Sequence, residues 1–187
     1  EQRERIIYGD FLKAKITDWY QEPFSVIGNL PYNISSQIFF RIIENRDLVR
    51  QVVCMIQKEV AERISAPHGS KTYGILSVFL QTFYHIEYLF TVSEKVFDPP
   101  PKVKSAVIRL IRNERTELGC EEKLFFNVIK TGFNQRRKTL RNSIRGLLPP
   151  GFESDYLNMR PEQLSVSDFI SLCQSIGKIK MGENPGI

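Results

Sequence analysis

The sequence predicts an α/β fold, an open sheet of the doubly wound type followed by a small all-α part. Three observations predict it. Strand-like and helix-like segments alternate βαβα along the first half. The segments Phe24–Gly28 and Gln51–Ile56 are nearly apolar throughout, the pattern of parallel strands buried on both faces. After Asn113 the composition changes, and everything from Glu121 to Lys178 reads as helix and turn. A boundary near Arg115–Gly119 then divides a partial α/β domain, residues 1–115, from a helical domain, residues 116–187.

Each element has its own signal. Ile6–Tyr8 reads as a short strand ending at Gly9-Asp10. Phe24–Gly28 is the second strand. Ile34, Ile38, Phe39, Ile42 and Ile43 recur at helical spacing, and Asn33 or Ser35 can cap that helix. Gln51–Ile56 is a third strand. Lys58–Ser65 reads as a helix that stops near Pro67-His68-Gly69, and a further helix covers about Tyr73–Phe83. Glu87–Val96 and Ser105–Arg112 read as two strands forming a hairpin-like, antiparallel edge. Between them, Phe97-Asp98-Pro99-Pro100-Pro101-Lys102 cannot be regular, because consecutive prolines fix φ and remove donors. Leu124, Phe125, Val128, Ile129 and Phe133 supply the apolar face of the first helix in the second part.

The bulk numbers bound the function. The chain has 187 residues, 42% hydrophobic and 25% charged, with a formal charge of +5. This is ordinary for a globular protein, and the mild excess of cations matters only through where it falls. The three cysteines, Cys54, Cys120 and Cys173, are widely spaced, which excludes a zinc ribbon and a disulfide framework and fits a reducing cytoplasm. No stretch reads as a membrane span or signal peptide, and no metal site is expected. The chain opens on Glu1-Gln2-Arg3-Glu4-Arg5 without Met and runs directly into a strand, so it is expected to be a piece of a longer protein.

Chemistry concentrates at Asn29-Leu30-Pro31-Tyr32, directly after the second strand. Ligands of open α/β sheets bind at the carboxyl ends of strands. A carboxamide acceptor beside an aromatic face suits a planar substrate with an exocyclic amine, such as a nucleobase. An adenine N6 amine is a poor nucleophile because its lone pair is delocalised into the ring. Acceptors on its two hydrogens favour a pyramidal nitrogen, and Pro31 stiffens the segment that presents them. Tyr32 offers a stacking face worth roughly 1–3 kcal/mol. The same four residues also fit a helix-capping Asn and a core Tyr. Phe97, held by its proline-rich loop, can form a second wall for a flipped base or serve as a buried anchor. Asp10 can accept from the exocyclic amine of a cofactor adenine or simply close a turn. Arg136, Arg137, Lys138, Arg141 and Arg145 occupy a stretch with no acidic residue. On one helix, Arg137, Arg141 and Arg145 would form a stripe at i, i+4 and i+8, and unpaired cations in a row call for an anionic partner. Lys102 and Lys104 can extend that basic surface.

Together these stretches resemble the ribosomal RNA adenine N6,N6-dimethyltransferases. The residues that carry the resemblance are Gly9-Asp10, Val26 to Ser36, Met55 to Ile64, Tyr73 to Val78, Val96 to Val107 and Arg136 to Leu140, in family order. Arg160-Pro161-Glu162-Gln163-Leu164 matches more loosely. The resemblance implies a Rossmann-like domain that uses S-adenosylmethionine, followed by a helical domain that grips RNA. The family dimethylates two adjacent adenines near the 3′ end of small-subunit rRNA, in the 30S particle. Asn29 would hold the amine, Leu30 and Pro31 would shape the loop, Tyr32 and Phe97 would sandwich the base, and Asp10 with Asn29 would touch the cofactor. The family's glycine-rich strand-to-helix turn is missing from these 187 residues, so methyl transfer by this chain alone is not expected, and an apolar sheet edge should lie open. Two rivals remain. One is a large-subunit methyltransferase of the erythromycin-resistance type, which usually carries Ile where Leu30 stands. The other is a non-catalytic rRNA-binding or assembly factor on the same fold.

Overall fold

The computed structural model describes residues 6–180. The opening Glu1–Arg5 and the end of the expected helical domain lie outside them. The first part contains β1 (Phe24–Asn29), α1 (Ser35–Glu44), β2 (Val49–Gln57), α2 (Lys58–Ser65), α3 (Ile75–Phe83), β3 (Tyr84–Val92) and β4 (Ser105–Arg112). The second contains α4 (Glu122–Asn134), the short α5 (Leu140–Ser143) and α6 (Val166–Lys180), with three 3-10 segments, Arg145–Leu147, Asp155–Asn158 and Pro161–Gln163, between α5 and α6.

Four strands form one sheet in the order β1-β2-β4-β3. β1 and β2 run parallel with α1 as their crossover, and β4 is antiparallel to both of its neighbours. The expected hairpin is present, but its antiparallel strand is not the edge. β4 buries Ala106, Ile108 and Leu110 on one face, and its other face carries Val107, Ile111 and an Arg109 that pairs with Glu87 of β3, so it takes the inner place. β3 carries His85, Glu87 and Thr91 and takes the edge, where polar side chains blunt further pairing. β3 also starts three residues earlier than expected. No breaker separates Phe83 from Tyr84, and α3 passes straight into the strand.

Three other local expectations are corrected. Ile6–Tyr8 forms no strand, and its side chains are exposed. A strand exists only through a neighbour, and none of the four strands takes this segment as a partner. Neither Asn33 nor Ser35 caps α1. Ile34 occupies the N-cap without a capping side chain, and the Ser35 hydroxyl donates to the Tyr32 carbonyl at 3.3 Å. β1 is not buried on both faces. Its residues alternate between half-buried and exposed, and Ile27 is 86% exposed.

One sheet face, carrying Val52, Cys54, Ile56, Ala106, Ile108 and Leu110, is sealed. A single apolar cluster runs on from it into the second part. Phe79 of α3 meets Phe40 of α1 and Phe126 of α4 edge-on, at 5.9 and 4.7 Å between ring centres. Phe133 of α4 bridges Tyr73 and Phe169 at 6.0 and 6.1 Å. This aromatic row seats α4 and α6 against the α3 side of the first part and so fixes where the cations of the 136–145 segment can point.

Candidate active site

β1 and β2 end side by side, with Asn29 paired to Met55. The ladder closes when the Leu30 N–H donates to the Met55 carbonyl at 3.0 Å, and the buried Leu30 side chain anchors the turn that follows. Pro31 opens that turn, and its carbonyl accepts from the Ile34 N–H at 3.2 Å. Asn29 is exposed at the strand end, which leaves its carboxamide free to face a ligand. The Tyr32 hydroxyl hydrogen-bonds the hydroxyl of Ser105, the first residue of β4, which fixes the ring.

Phe97 arrives from the other side. A 3-10 turn over Glu94–Val96, capped by the Ser93 hydroxyl, delivers it to the proline-rich loop. Asn29, Leu30, Pro31, Tyr32, Phe97, Asp98, Pro99 and Pro101 together line an open cavity of about 380 Å³. The structure therefore brings two aromatic rings and one carboxamide, from segments nearly seventy residues apart, into one hollow at the carboxyl ends of the parallel strands. That volume lies at the lower end of the range for small-ligand pockets. Two rings and an acceptor can hold a single planar heterocycle with an exocyclic amine.

Asp10 is not among the residues lining that hollow. One of its carboxylate oxygens accepts from the Leu12 N–H at 2.9 Å, and its carbonyl accepts from Lys13 and Ala14, so it closes a turn. Its side chain is half exposed and retains free acceptor positions.

The arginine segment departs most from expectation. It does not form one helix. α4 ends at Asn134, a turn closes where the Lys138 N–H donates to the Gln135 carbonyl, and α5 restarts at Leu140. The Leu140 N–H is taken by the Met159 carbonyl at 2.8 Å, a contact between distant segments that fixes the break. The stripe therefore splits. Arg136 and Arg137 line a cavity of about 500 Å³ with Gly69, Ser70, Lys71, Arg160 and Glu162. Arg141 and Arg145 line another, of about 490 Å³, beside Pro149–Glu153. Nor are all of these cations unpaired. Arg141 grips Glu153 with two hydrogen bonds of 2.9 and 2.6 Å, which hold the Glu153 carboxyl below its usual range. Arg136 stands 3.8 Å from Glu162. Arg137, Lys138, Lys102 and Lys104 are exposed. The Lys104 carbonyl accepts from the Lys58 N–H at 2.9 Å, which pins the proline-rich loop to α2.

The largest of these cavities, about 730 Å³, was not foreseen. Ser36, Phe40, Glu59, Arg63, Lys71–Leu76, Phe133 and Arg136 line it. It begins at Ser36, four residues beyond Tyr32, and shares Lys71 and Arg136 with the neighbouring basic cavity. Arg63, Lys71 and Arg160 thus join Arg136 and Arg137 in a cleft between the two parts of the chain. They come from three separate segments, and no local pattern links them. Among the described residues no group of three or more His, Cys, Asp or Glu is placed to hold a metal ion, and no helix is long and apolar enough to cross a membrane.

Comparison with known proteins bears on this arrangement. A family model described as ribosomal RNA adenine dimethylase matches residues 1–178. A Bacteroides thetaiotaomicron protein named ribosomal RNA small subunit methyltransferase A is 60% identical over 177 residues, which are 92% of this chain and 66% of that protein. The protein of the same name from Cytophaga hutchinsonii is 56% identical over 172 residues, 91% of this chain and 67% of that protein. The chain thus spans about two thirds of the length of these curated relatives. Among solved structures, a dimethyladenosine transferase from Plasmodium falciparum superposes with a TM-score of 0.76 at 27% identity, over 94% of this chain and 72% of that one. The 23S rRNA methyltransferase ErmE superposes with a TM-score of 0.62 at 21% identity, over 89% of this chain and 70% of that one, a likeness of fold.

Proposed function

The chain belongs to the ribosomal RNA adenine dimethylase family, and from that premise we propose that it forms the base-receiving part of an enzyme that dimethylates two adjacent adenosines near the 3′ end of small-subunit rRNA. The fold is that of a Rossmann-like methyltransferase sheet with helices appended. The observation that carries the proposal is the convergence of Asn29, Tyr32 and Phe97 on one hollow. The adenine slides between the Tyr32 and Phe97 rings, and stacking replaces what it loses on leaving its helix. The Asn29 carboxamide oxygen accepts one N6 hydrogen, and a backbone carbonyl of the Leu30-Pro31 turn accepts the other. The amine is thereby turned so that its lone pair faces the methyl donor. S-Adenosylmethionine supplies, when bound, a methyl group on a positively charged sulfur. On this chain Asn29 and the exposed carboxylate of Asp10 fit the donor's polar edges. The glycine-rich turn expected to hold the rest of it is not among these 187 residues.

The basic cleft supports the second half of the proposal. Arg136, Arg137 and Lys138, joined by Arg63, Lys71 and Arg160, follow the phosphates of the rRNA in the 30S particle, while Lys102 and Lys104 flank the entrance. The protein works in the cytoplasm, where its ribosomal substrate is.

The test uses the chain in two forms, with S-adenosylmethionine and small or large ribosomal subunits that lack the modification. The 187-residue chain alone should bind RNA without transferring methyl groups. The same residues fused to the remaining third of the Bacteroides thetaiotaomicron relative should methylate the small subunit only. Methylation of large subunits would favour the erythromycin-resistance type of activity. A fusion that binds small subunits and methylates nothing would favour a pure assembly factor.

A second expected outcome separates the two halves of the arginine segment. Each phosphate contact contributes about 0.7–0.9 to the salt slope of RNA binding. The double variant R136A/R137A should flatten the slope by about 1.5 and weaken binding to a small-subunit RNA fragment by about tenfold or more. R141A should leave the slope nearly unchanged, because Glu153 already pairs with that guanidinium. A fall of about 0.7–0.9 in R141A, the share of one full phosphate contact, would refute the division of the stripe.

A further inference from the structure

Cys120 lies at the end of the link between β4 and α4, directly before the α4 N-cap at Glu121, and is half-buried. Cys173 lies on α6 and is fully buried. The fold brings the segments that carry them together. The Gln174 side-chain amide donates to the Leu118 carbonyl at 2.7 Å, which clamps the residue after Cys173 to the residue two before Cys120. Gly119 lets the link lie this close. Its φ is +65°, and a Cβ there would stand 2.7 Å from the Gln174 amide nitrogen. The two thiols are near enough for each to perturb the other's titration, and the proposed reaction calls on neither.

We propose that Cys120 and Cys173 are a redox-active dithiol that closes to a reversible disulfide when a low-molecular-weight disulfide is supplied. The steps follow from exposure. Cys120 is the half-buried and therefore reachable partner, and its neighbour Cys173 holds its thiol below the ordinary range, so it is the attacking thiolate. It attacks one sulfur of the small disulfide. A protein–small-molecule mixed disulfide forms, and the first small thiol leaves and takes up the proton that Cys120 gave up. Cys173 then attacks the Cys120 sulfur. The bond to the small molecule breaks, the second small thiol leaves with the Cys173 proton, and the protein sulfurs are joined. Two protein thiols have been oxidised and one small disulfide reduced to two thiols. The neighbouring Cys120 thiol and then burial push the Cys173 thiol up, so it does not start the reaction, and it resolves the adduct because the fold holds it beside Cys120. Cys54 serves as an internal control. It is sealed in the β2 core, and burial pushes its thiol up to about 12. A disulfide in a reducing compartment is the transient, sensing kind, and this one would tie α6 to the link that leads out of the sheet.

The experiment treats the full chain with oxidised glutathione, then alkylates all remaining thiols under denaturing conditions and reads the intact and peptide masses. The expected product carries one alkyl group, on Cys54, and a peptide joining Cys120 to Cys173, and dithiothreitol should restore three alkylatable thiols. C173S should stop at a glutathione adduct on Cys120. C120S should keep both of its thiols free, and C54S should close the bridge at the wild-type rate. Three surviving thiols after treatment of the wild type, a bridge that includes Cys54, or adduct on Cys120 without closure would each overturn the proposal. Reaction of C120S at Cys173 would overturn the order of attack.

Discussion

Replacing Asn29 by Ala in the fusion with the Bacteroides thetaiotaomicron relative should lower the rate of methyl transfer by about 10²–10³, while binding to small ribosomal subunits stays within about twofold. The size follows from what the carboxamide does. A preorganised hydrogen-bonding group aimed at a reacting centre is worth about 2.7–4 kcal/mol of barrier. It gives little in the ground state, because an exposed adenine amine is equally satisfied by water. The loss should therefore appear in kcat, with KM nearly unchanged. The fold should not suffer, because Asn29 is exposed and β1 is held through its backbone ladder to β2. Asn29→Asp is the sharper probe. It keeps an acceptor oxygen but places a negative charge beside the electron-rich nitrogen, and it should recover part of the rate. Methylation by N29A at the wild-type rate would remove Asn29 from the proposed chemistry. Tyr32→Phe should be mild by comparison. It keeps the stacking face and loses only the hydroxyl bond to Ser105.

Much of this corner was legible in the sequence, for a physical reason. β1, β2, β4, α1 and α2 declare themselves through apolar periodicity, which is a local property. The Pro31 turn directly after an apolar strand marks the strand end that the structure joins with Phe97 in one hollow. What the sequence hid was non-local. Ile6–Tyr8 has strand composition and no neighbour to pair with. Arg137, Arg141 and Arg145 have helical spacing, yet the helix is interrupted by a backbone bond from Leu140 to Met159, nineteen residues on. Glu153, which neutralises Arg141, lies twelve residues away on a loop, beyond the reach of an i, i+4 argument. Arg63, Lys71 and Arg160 meet Arg136 only because α2, the loop before α3 and a 3-10 turn near Pro161 are folded onto one cleft. Helical spacing shows where a side chain points on its own element, and cross-chain contacts decide what it meets.

The largest change in stability expected from one polar substitution is at Arg112. Its guanidinium closes the junction where β4 ends and the link begins. It donates to the Phe83 carbonyl at 3.1 Å, the Asn113 carbonyl at 2.7 Å, the Arg115 carbonyl at 2.7 Å and the Arg46 carbonyl at 3.3 Å. It also lies over the Phe83 ring, 5.6 Å from its centre. Four carbonyls from the end of α3, the approach to β2 and the link thus converge on one fork of donors. Burial makes the charge less favourable there, which is why the Arg112 pKa falls, but the fork returns that cost through its bonds. Arg112→Ala leaves the Phe83 carbonyl only its bond from the Asn113 N–H at 2.9 Å, and the Arg46, Asn113 and Arg115 carbonyls, on half-buried residues, facing a gap that water fills only in part. Each unsatisfied buried group costs about 1–3 kcal/mol, so a total loss of about 3 kcal/mol is expected after partial rescue by water. For a chain of this size that corresponds to a fall in Tm of about 6–12 °C. Arg112→Lys should recover little of it. One ammonium with three donors cannot span carbonyls that a planar five-donor fork reaches. Urea unfolding of the two variants beside the wild type decides the matter. A loss below about 1 kcal/mol for R112A, or full recovery in R112K, would show that the five-donor fork does not hold the junction.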